Sequence, residues 1–161
     1  MSEIPVVRSF IGGEYVSNQS GESFETVNPA TGDVLAKIEV AGTAEIELAV
    51  EKAKAAFSVW KKMTGVERGR ILIEAARRLR EDNDALAHLE VQDSGKPIAE
   101  ASVVDVASAA DCLEYFGGLA ASIHGQHFDL GEGAFAYTRR EPLGICLGIG
   151  AWNYPIQIAA W

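Results

Sequence analysis

The sequence has 161 residues, 48% of them hydrophobic, with 14 Lys plus Arg against 23 Asp plus Glu. That length supports one domain with a real core, burying roughly 70% of its unfolded surface. The net charge of −9 argues against nucleic acid and anionic membrane as partners, since both require positive surface, and leaves a small cationic substrate open. No run of about 18 apolar residues is present, so no spanning helix is expected. The start, Met-Ser-Glu-Ile-Pro-Val-Val-Arg, lacks a basic segment followed by an apolar one, so no signal peptide is expected and the location expected is cytoplasmic. Cys112 and Cys146 read as two buried, unpaired thiols in a reducing compartment. His88, His124 and His127 have no third ligand in pattern and predict no metal site.

The first elements are short strands. Phe10-Ile11 and Tyr15-Val16 flank Gly12-Gly13, a hairpin turn, and Phe24–Val27 and Val34–Val40 flank the turn cluster Asn28-Pro-Ala-Thr-Gly32. From Thr43, a plausible N-cap, the period changes: Ile46, Ala49, Val50, Ala53, Phe57 and Trp60 predict an amphipathic helix. Thr64-Gly-Val-Glu67 is a capping box opening a second helix with Ile71, Leu72, Ala75, Ala76 and Leu79 on its apolar stripe. Its arginines, interleaved with Glu67, Glu74 and Glu81, read as a solvated face rather than an anion patch. A third helix is predicted from about Asp84 to Gln92, ending near Ser94-Gly95. Pro97 suits the first turn of a long alanine-rich helix over Ile98–Ile123, weakened late by Gly117-Gly118. Ala134–Thr138 alternates as a strand, Pro142 breaks the chain, and Leu143–Ile149 reads as a parallel strand buried on both faces.

Candidate chemistry gathers at Gly148-Ile-Gly-Ala-Trp-Asn-Tyr-Pro155. Two glycines after an apolar strand let backbone approach a ligand closely, although this is not the Gly-x-Gly-x-x-Gly dinucleotide fingerprint. Pro155 suits a first helical turn. From pattern alone Asn153 either caps that helix or offers its amide N–H to an oxyanion in a cleft. Trp152, Tyr154 and Trp161 are either core or a cage whose π faces suit a cation.

The run Arg139-Arg-Glu-Pro-Leu-Gly-Ile-Cys-Leu-Gly-Ile-Gly-Ala-Trp-Asn-Tyr-Pro155 resembles the NAD(P)-dependent aldehyde dehydrogenase superfamily, within it the betaine-aldehyde and 4-trimethylaminobutyraldehyde branch. Phe10-Ile-Gly-Gly-Glu-Tyr15, Asn28-Pro-Ala-Thr-Gly32 followed by Val34-Leu-Ala, and Asp93-Ser-Gly-Lys-Pro97 agree in order and spacing. The resemblance implies an α/β class and the N-terminal part of that fold, incomplete: a β-hairpin, a helical segment, an oligomerisation strand and the first strand of the nucleotide-binding sheet. It divides the chain into residues 1–126, strands and helices of the cofactor-binding domain; 127–142, an oligomerisation arm; and 143–161, the start of the nucleotide-binding sheet and substrate site. It makes Asn153 the catalytic amide that stabilises the thiohemiacetal oxyanion, and sets Ile149, Gly150, Ala151, Trp152 and Asn153 beside NAD or NADP. Tyr154 and Trp161 become aromatics toward a quaternary ammonium, and Thr26, Val27 and Asp93 the surroundings of a potassium ion (K+) held inside the subunit. The implied partners are a small aldehyde and further copies of the subunit, as dimer or tetramer.

The family's chemistry needs a cysteine nucleophile, a glutamate that activates water and, just after Trp161, a lysine for the cofactor. Neither cysteine here stands at the nucleophile's place. The expectation is therefore the N-terminal third of such an enzyme, inactive alone. The alternatives are a non-catalytic short protein that docks on full-length subunits, or part of a dehydrogenase for uncharged or semialdehyde substrates.

Overall fold

The computed structural model describes residues 4–161. Met1–Glu3, which begin the stretch read for a signal peptide and the 1–126 segment, lie outside the described residues. Strand β1 (Val6–Val7) is followed by a hairpin, β2 (Ser9–Ile11) and β3 (Glu14–Val16). Gly12 and Gly13 turn it with φ of 65° and 94°, values that only glycine adopts without strain. β4 (Ser23–Val27) pairs antiparallel with β5 (Val34–Glu39), as the sequence predicts, with a register shift between Thr26 and Val27. The turn between them is closed by Asn28, whose Oδ1 accepts from the Ala30 N–H at 2.9 Å. β1 adds in parallel to β5, giving the order β1-β5-β4. Two residues carry no periodicity, so this strand is invisible until its partner is in place.

Helix α1 (Thr43–Trp60) begins one residue earlier than expected. Gly42, not Thr43, is the N-cap, and its N–H donates to Glu45 Oε2 at 2.7 Å. At α2 (Gly65–Glu81) the predicted box is present: the Glu67 N–H donates to Thr64 Oγ1 at 3.2 Å and the Thr64 N–H to Glu67 Oε2 at 2.7 Å. Three of its arginines pair with acids, in keeping with a charged face rather than an anion patch, while Arg68 donates to the Met63 carbonyl. Arg77 and Arg78 hold Glu74, whose carboxyl drops to about 2 through their hydrogen bonds, and Arg80 reaches Asp111 and Glu114 at 2.7 and 2.6 Å. α3 (Asn83–Ser94) ends at Gly95 with φ 76°, a left-handed C-cap.

The long helix is not uniform. Pro97 is the N-cap, with extended ψ of 138°, rather than a first-turn residue. α4 (Ile98–Glu100) runs into a π-helical turn, Ala101–Asp105, before α5 (Val106–Leu119) and a 3₁₀ turn, Ala120–Ser122. The late glycine read as a weakness is a packing site. A methyl built at Gly69 would collide with the Gly117 carbonyl oxygen, and one at Gly117 would lie 2.9 Å from the Gly69 carbonyl oxygen. α2 and α5 thus touch backbone to backbone. The fully covered core matches, being alanine (Ala76, Ala87, Ala101, Ala109, Ala110) around Val106.

Beyond Ser122 the structure departs from expectation twice. Two strands, not one, fill the arm: β6 (His127–Gly131) pairs antiparallel with β7 (Ala134–Tyr137). Glu132 and its flanking glycines, all at positive φ, make the turn. Leu143–Gly150 forms no strand, and Leu143, Leu147 and Ile149 are 95%, 86% and 90% exposed rather than buried on two faces. The physical reason is that a strand exists only as half of a ladder, and no described residue pairs with this run. Cys146 is therefore exposed, not buried; Cys112 is half-buried, and both are free thiols. The chain closes on α6 (Pro155–Ala160), with proline in its first turn as predicted.

Between α3 and α4 the core holds charge. Lys96 Nζ donates to Glu90 Oε1 at 2.9 Å and makes a second, very short bond to Asp105 Oδ2. The side chains are 10%, 3% and 0% exposed. Burial alone would lower the Lys96 pKa, but Asp105 and Glu90 outweigh it and hold the ammonium above its ordinary 10.5. Burial, aided by the Asp105 carboxylate, pushes Glu90 up.

Two stability measurements follow. Gly69→Ala, which in an open helix gains up to about 1 kcal/mol, is expected to lose about 1–3 kcal/mol here by overpacking, read as a lower urea midpoint. Lys96→Met strands two buried carboxylates and is expected to cost about 3–5 kcal/mol at neutral pH. A folded pKa above the unfolded value means that Lys96 contributes fully below pH 10.5 and loses its contribution as pH rises through the folded value. The gap between wild type and Lys96→Met therefore closes in alkaline titration; a constant gap contradicts the ion-pair account.

Candidate active site

The residues predicted at cofactor and substrate lie on the exposed segment from Ile149 and at the two ends of α6, and those predicted at potassium on β4 and α3. Trp152 and Asn153 are exposed, with Trp152 at 88%. Asn153 is not the cap: Tyr154 occupies that position at φ −139°, ψ 62°, and its carbonyl accepts from the Ile158 N–H at 2.9 Å. Of the two readings left open by pattern, capping is thus removed, and the Asn153 side chain stands one residue ahead of the helix. α6 is fastened to α5 by Gln157, whose Nε2 donates to Ser108 Oγ at 2.9 Å. This places the turn over the π-helical region instead of free in solvent.

Trp152, Asn153 and Tyr154 line a cleft of about 540 Å³ together with Thr26, Asp93 and Lys96. The Thr26 hydroxyl donates to Asp93 Oδ1 at 2.9 Å across the gap between β4 and α3. Thr26 and Asp93, expected around potassium, therefore share one cleft with Tyr154, expected at the substrate, while Val27 stands beside it on β4 at the register shift. A carboxylate, a hydroxyl and irregular backbone form an oxygen-rich corner that fits a hard cation. Among the described residues no group of three or more His, Cys, Asp or Glu is placed to hold a metal.

Ile149, Gly150 and Trp161 lie elsewhere. With Gly148, Pro155 and Ile158 they border a second cleft of about 460 Å³ on the other side of the turn. A methyl at Gly148 would meet open space, and one at Gly150 would meet Ile158 at 3.1 Å. This bare, accessible backbone fits a flat ligand lying against it, as a nicotinamide cofactor would. Ala151 is exposed between the two clefts. Tyr154 and Trp161 thus do not converge on one space: Tyr154 faces the first cleft, and Trp161, 69% exposed, the second. A larger hollow of about 570 Å³, between the sheet and α3, is lined mainly by Val7, Leu35, Ile38, Leu86 and Leu89. Thr26, Glu90 and Asp93 also stand in its wall, and Thr26 and Asp93 border the first cleft as well.

The residues that sequence reasoning missed are the charged ones under the turn. The Tyr154 hydroxyl donates to Glu100 Oε1 at 2.9 Å, and Lys96 Nζ lies 3.9 Å from the Tyr154 ring centroid. Glu100 chiefly, by accepting that hydrogen bond, raises the Tyr154 pKa. A signal for the group existed in Asp105, an acid set among Val103, Val104, Val106 and Ala107. A lone acid in apolar company is buried only with a partner.

Comparison with known proteins agrees with this geometry. Residues 15–161 match the model of the aldehyde dehydrogenase family. The chain is 57% identical over 156 residues to betaine aldehyde dehydrogenase of Vibrio vulnificus strain YJ016, covering 97% of this chain and 32% of that protein. It superposes on PnpE in complex with nicotinamide adenine dinucleotide with a TM-score of 0.93 at 35% identity. A mutant aldehyde dehydrogenase of Bacillus cereus gives 0.92 at 37%. Both superpositions cover 96% of this chain and 32% of the other. The chain spans about a third of the length of the relatives it matches, at their N-terminal fold elements and with the Trp-Asn-Tyr-Pro turn in place, and it belongs to the aldehyde dehydrogenase family.

Proposed function

We propose that this chain supplies the N-terminal third of an NAD(P)-dependent aldehyde dehydrogenase whose substrate is betaine aldehyde or a related trimethylammonium aldehyde. The observation that carries the reading is the exposed Asn153 at the mouth of a cleft, held one residue ahead of α6 by a tethered Tyr154, in a chain 57% identical to a betaine aldehyde dehydrogenase. When a cysteine thiolate adds to the aldehyde carbon, negative charge develops on the former carbonyl oxygen. A fixed, neutral amide N–H aimed there stabilises that charge more than it stabilises the substrate. The exposed backbone from Ile149 to Trp152 shields one side of the cofactor, which supplies the hydride acceptor. Water activated by a glutamate then releases the acid.

Neither the nucleophile nor the base is among these 161 residues, so catalysis needs polypeptide beyond them. The remaining roles follow from the same reading. The β6–β7 hairpin, with Phe128, Leu130, Phe135 and Tyr137 exposed, is an arm for assembly into a dimer or tetramer. Thr26, Val27 and Asp93 hold a potassium ion. A cytoplasmic setting belongs to the same reading. The separation of Tyr154 from Trp161 favours keeping a second reading, a dehydrogenase for uncharged aldehydes.

The test joins residues 1–161 to the complementary remainder of the Vibrio vulnificus relative. The 161-residue chain alone is expected to show no aldehyde-dependent reduction of NAD or NADP, and the chimera to show it. Asn153→Ala in the chimera is expected to lower kcat by about 10²–10³-fold, measured under saturating aldehyde. Turnover by the isolated chain, or an Asn153→Ala chimera with unchanged kcat, overturns the assignment. A chimera that prefers the neutral carbon isostere of betaine aldehyde supports the second reading.

A further inference from the structure

Asp105 Oδ1 is a buried acceptor with no hydrogen-bond partner among the described residues. The other oxygen, Oδ2, is spent on Lys96, and the side chain is fully buried. An ionised carboxylate in such a place is costly unless its lone pairs are met. Three donors of the neighbourhood are used elsewhere. Asn83 Nδ2 donates to the Ser102 carbonyl at 3.0 Å, the Ser94 hydroxyl to the Glu90 carbonyl at 2.7 Å, and the Tyr154 hydroxyl to Glu100 Oε1 at 2.9 Å.

Glu90 is the neighbour with something to give. Its Oε1 accepts from the same Lys96 Nζ at 2.9 Å, so one ammonium brings two carboxyl groups side by side. Their side chains are 3% and 0% exposed. As two carboxylates they leave one negative charge uncompensated in the core. The elements packed around them supply no relief. The sheet and α6 bring only Thr26 and apolar groups to the hollow beside Glu90. Asp93, one turn along α3, accepts from Thr26, and Glu100 on α4 accepts from Tyr154; both are acids and add to the excess. Lys96 stays protonated, since its two acids hold the ammonium above the usual lysine range against the effect of burial. Two like charges sharing a site do not both ionise, and one carboxyl keeps its proton. Burial, and after it the Asp105 carboxyl, favour the acid form of Glu90.

We propose that Glu90 and Asp105 share one proton in the folded chain, carried on Glu90 Oε2 and donated to Asp105 Oδ1, and that this proton latches α3 to the end of the π-helical turn. With the proton in place, the trio of Glu90, Lys96 and Asp105 is neutral and the buried acceptor has its donor. Without it, two anions face one ammonium at the junction that carries Lys96 and Glu100 into the cleft under Asn153. The latch is closed when protonated and loosens in alkali, and one wall of the cleft loosens with it. It is a property of this chain and does not depend on the reaction proposed above.

The test follows the Glu90 side-chain carboxyl carbon by NMR in the 161-residue chain carrying isotope-labelled glutamate, over a pH series, with Glu90→Gln to assign the signal. The expected midpoint lies above the ordinary 4.5 of a glutamate and belongs to the pair rather than to one residue. Asp105→Asn leaves Glu90 alone with Lys96 and is expected to return the midpoint to 4.5 or below. A wild-type midpoint at or below 4.5 means that something other than a proton on Glu90 meets Asp105 Oδ1, such as a buried water, and overturns the proposal. A raised midpoint that survives Asp105→Asn assigns the effect to burial alone and overturns the sharing.

Stability gives a second readout. Glu90→Gln replaces the acid by a permanently neutral N–H donor. A folded value above the unfolded one means that Glu90 contributes fully below 4.5 and loses its contribution as pH rises through the folded value. The urea midpoint of Glu90→Gln is therefore expected to match wild type at or below pH 4.5 and to exceed it increasingly above. Glu90→Met, which has no donor for Asp105, is expected to stay below Glu90→Gln throughout. A gap between Glu90→Gln and wild type that does not change with pH contradicts the latch.

Discussion

One ammonium joins three pieces of this chain. Lys96 sits on the short break between Gly95, which stops α3 in a left-handed conformation, and Pro97, which starts the next helix from extended backbone. The break lets its side chain return to Glu90 on α3 and reach forward to Asp105 at the end of the π-helical turn. Removing such charges from water costs several kcal/mol per ion and is tolerated only when partners are close. Two carboxylates around one ammonium leave an excess negative charge. That excess agrees with the raised Glu90 pKa, and with an Asp105 Oδ1 that is buried and unpaired among the described residues. The cluster is therefore a constraint on geometry more than a source of stability. It fixes α3, α4 and the Trp152–Tyr154 turn against one another.

The rest of the core allows that precision by being thin. Where α2 meets α5, glycine faces glycine, and the fully buried side chains around Val106 are mostly methyl groups. Close backbone approach leaves few rotamers to adjust, so the position of α5 is set by hard contacts. α6 inherits that position through the Gln157–Ser108 hydrogen bond. The cleft beneath Asn153 is bounded on one side by Lys96 and Glu100 around the start of α4 and on the other by Thr26 of β4, which meets Asp93.

Local rules made most of the elements legible and left the pairings hidden. The Thr64–Glu67 box, the Gly12-Gly13 and Asn28–Gly32 turns, and Pro155 each act within four or five residues, so their structures follow from short stretches of sequence. β1 is too short to show a period, and β6, His-Phe-Asp-Leu-Gly, mixes types so that only its partner defines it. Leu143–Ile149 has the composition of a parallel strand, but composition does not supply a neighbour. The site divides the same way. Asn153 and its turn were legible from motif and resemblance. Glu90, Lys96, Glu100 and Asp105 were not, because their contact joins residues whose side chains meet only after two helices pack.

The arrangement bears on how a trimethylammonium group could be chosen over a neutral one. An aromatic face contributes about 0.5–1 kcal/mol to a cation in the open and about 2 when desolvated, so a whole wall is worth at most roughly 30-fold in affinity. Lys96 Nζ, 3.9 Å from the Tyr154 ring centroid, already occupies one face of that ring, and the ring still borders the first cleft. Trp161, 69% exposed, borders the other cleft on the far side of the turn. On the proposed reading, selection of a trimethylammonium group then rests on the open face of Tyr154 and on Trp161, together with groups from outside these 161 residues.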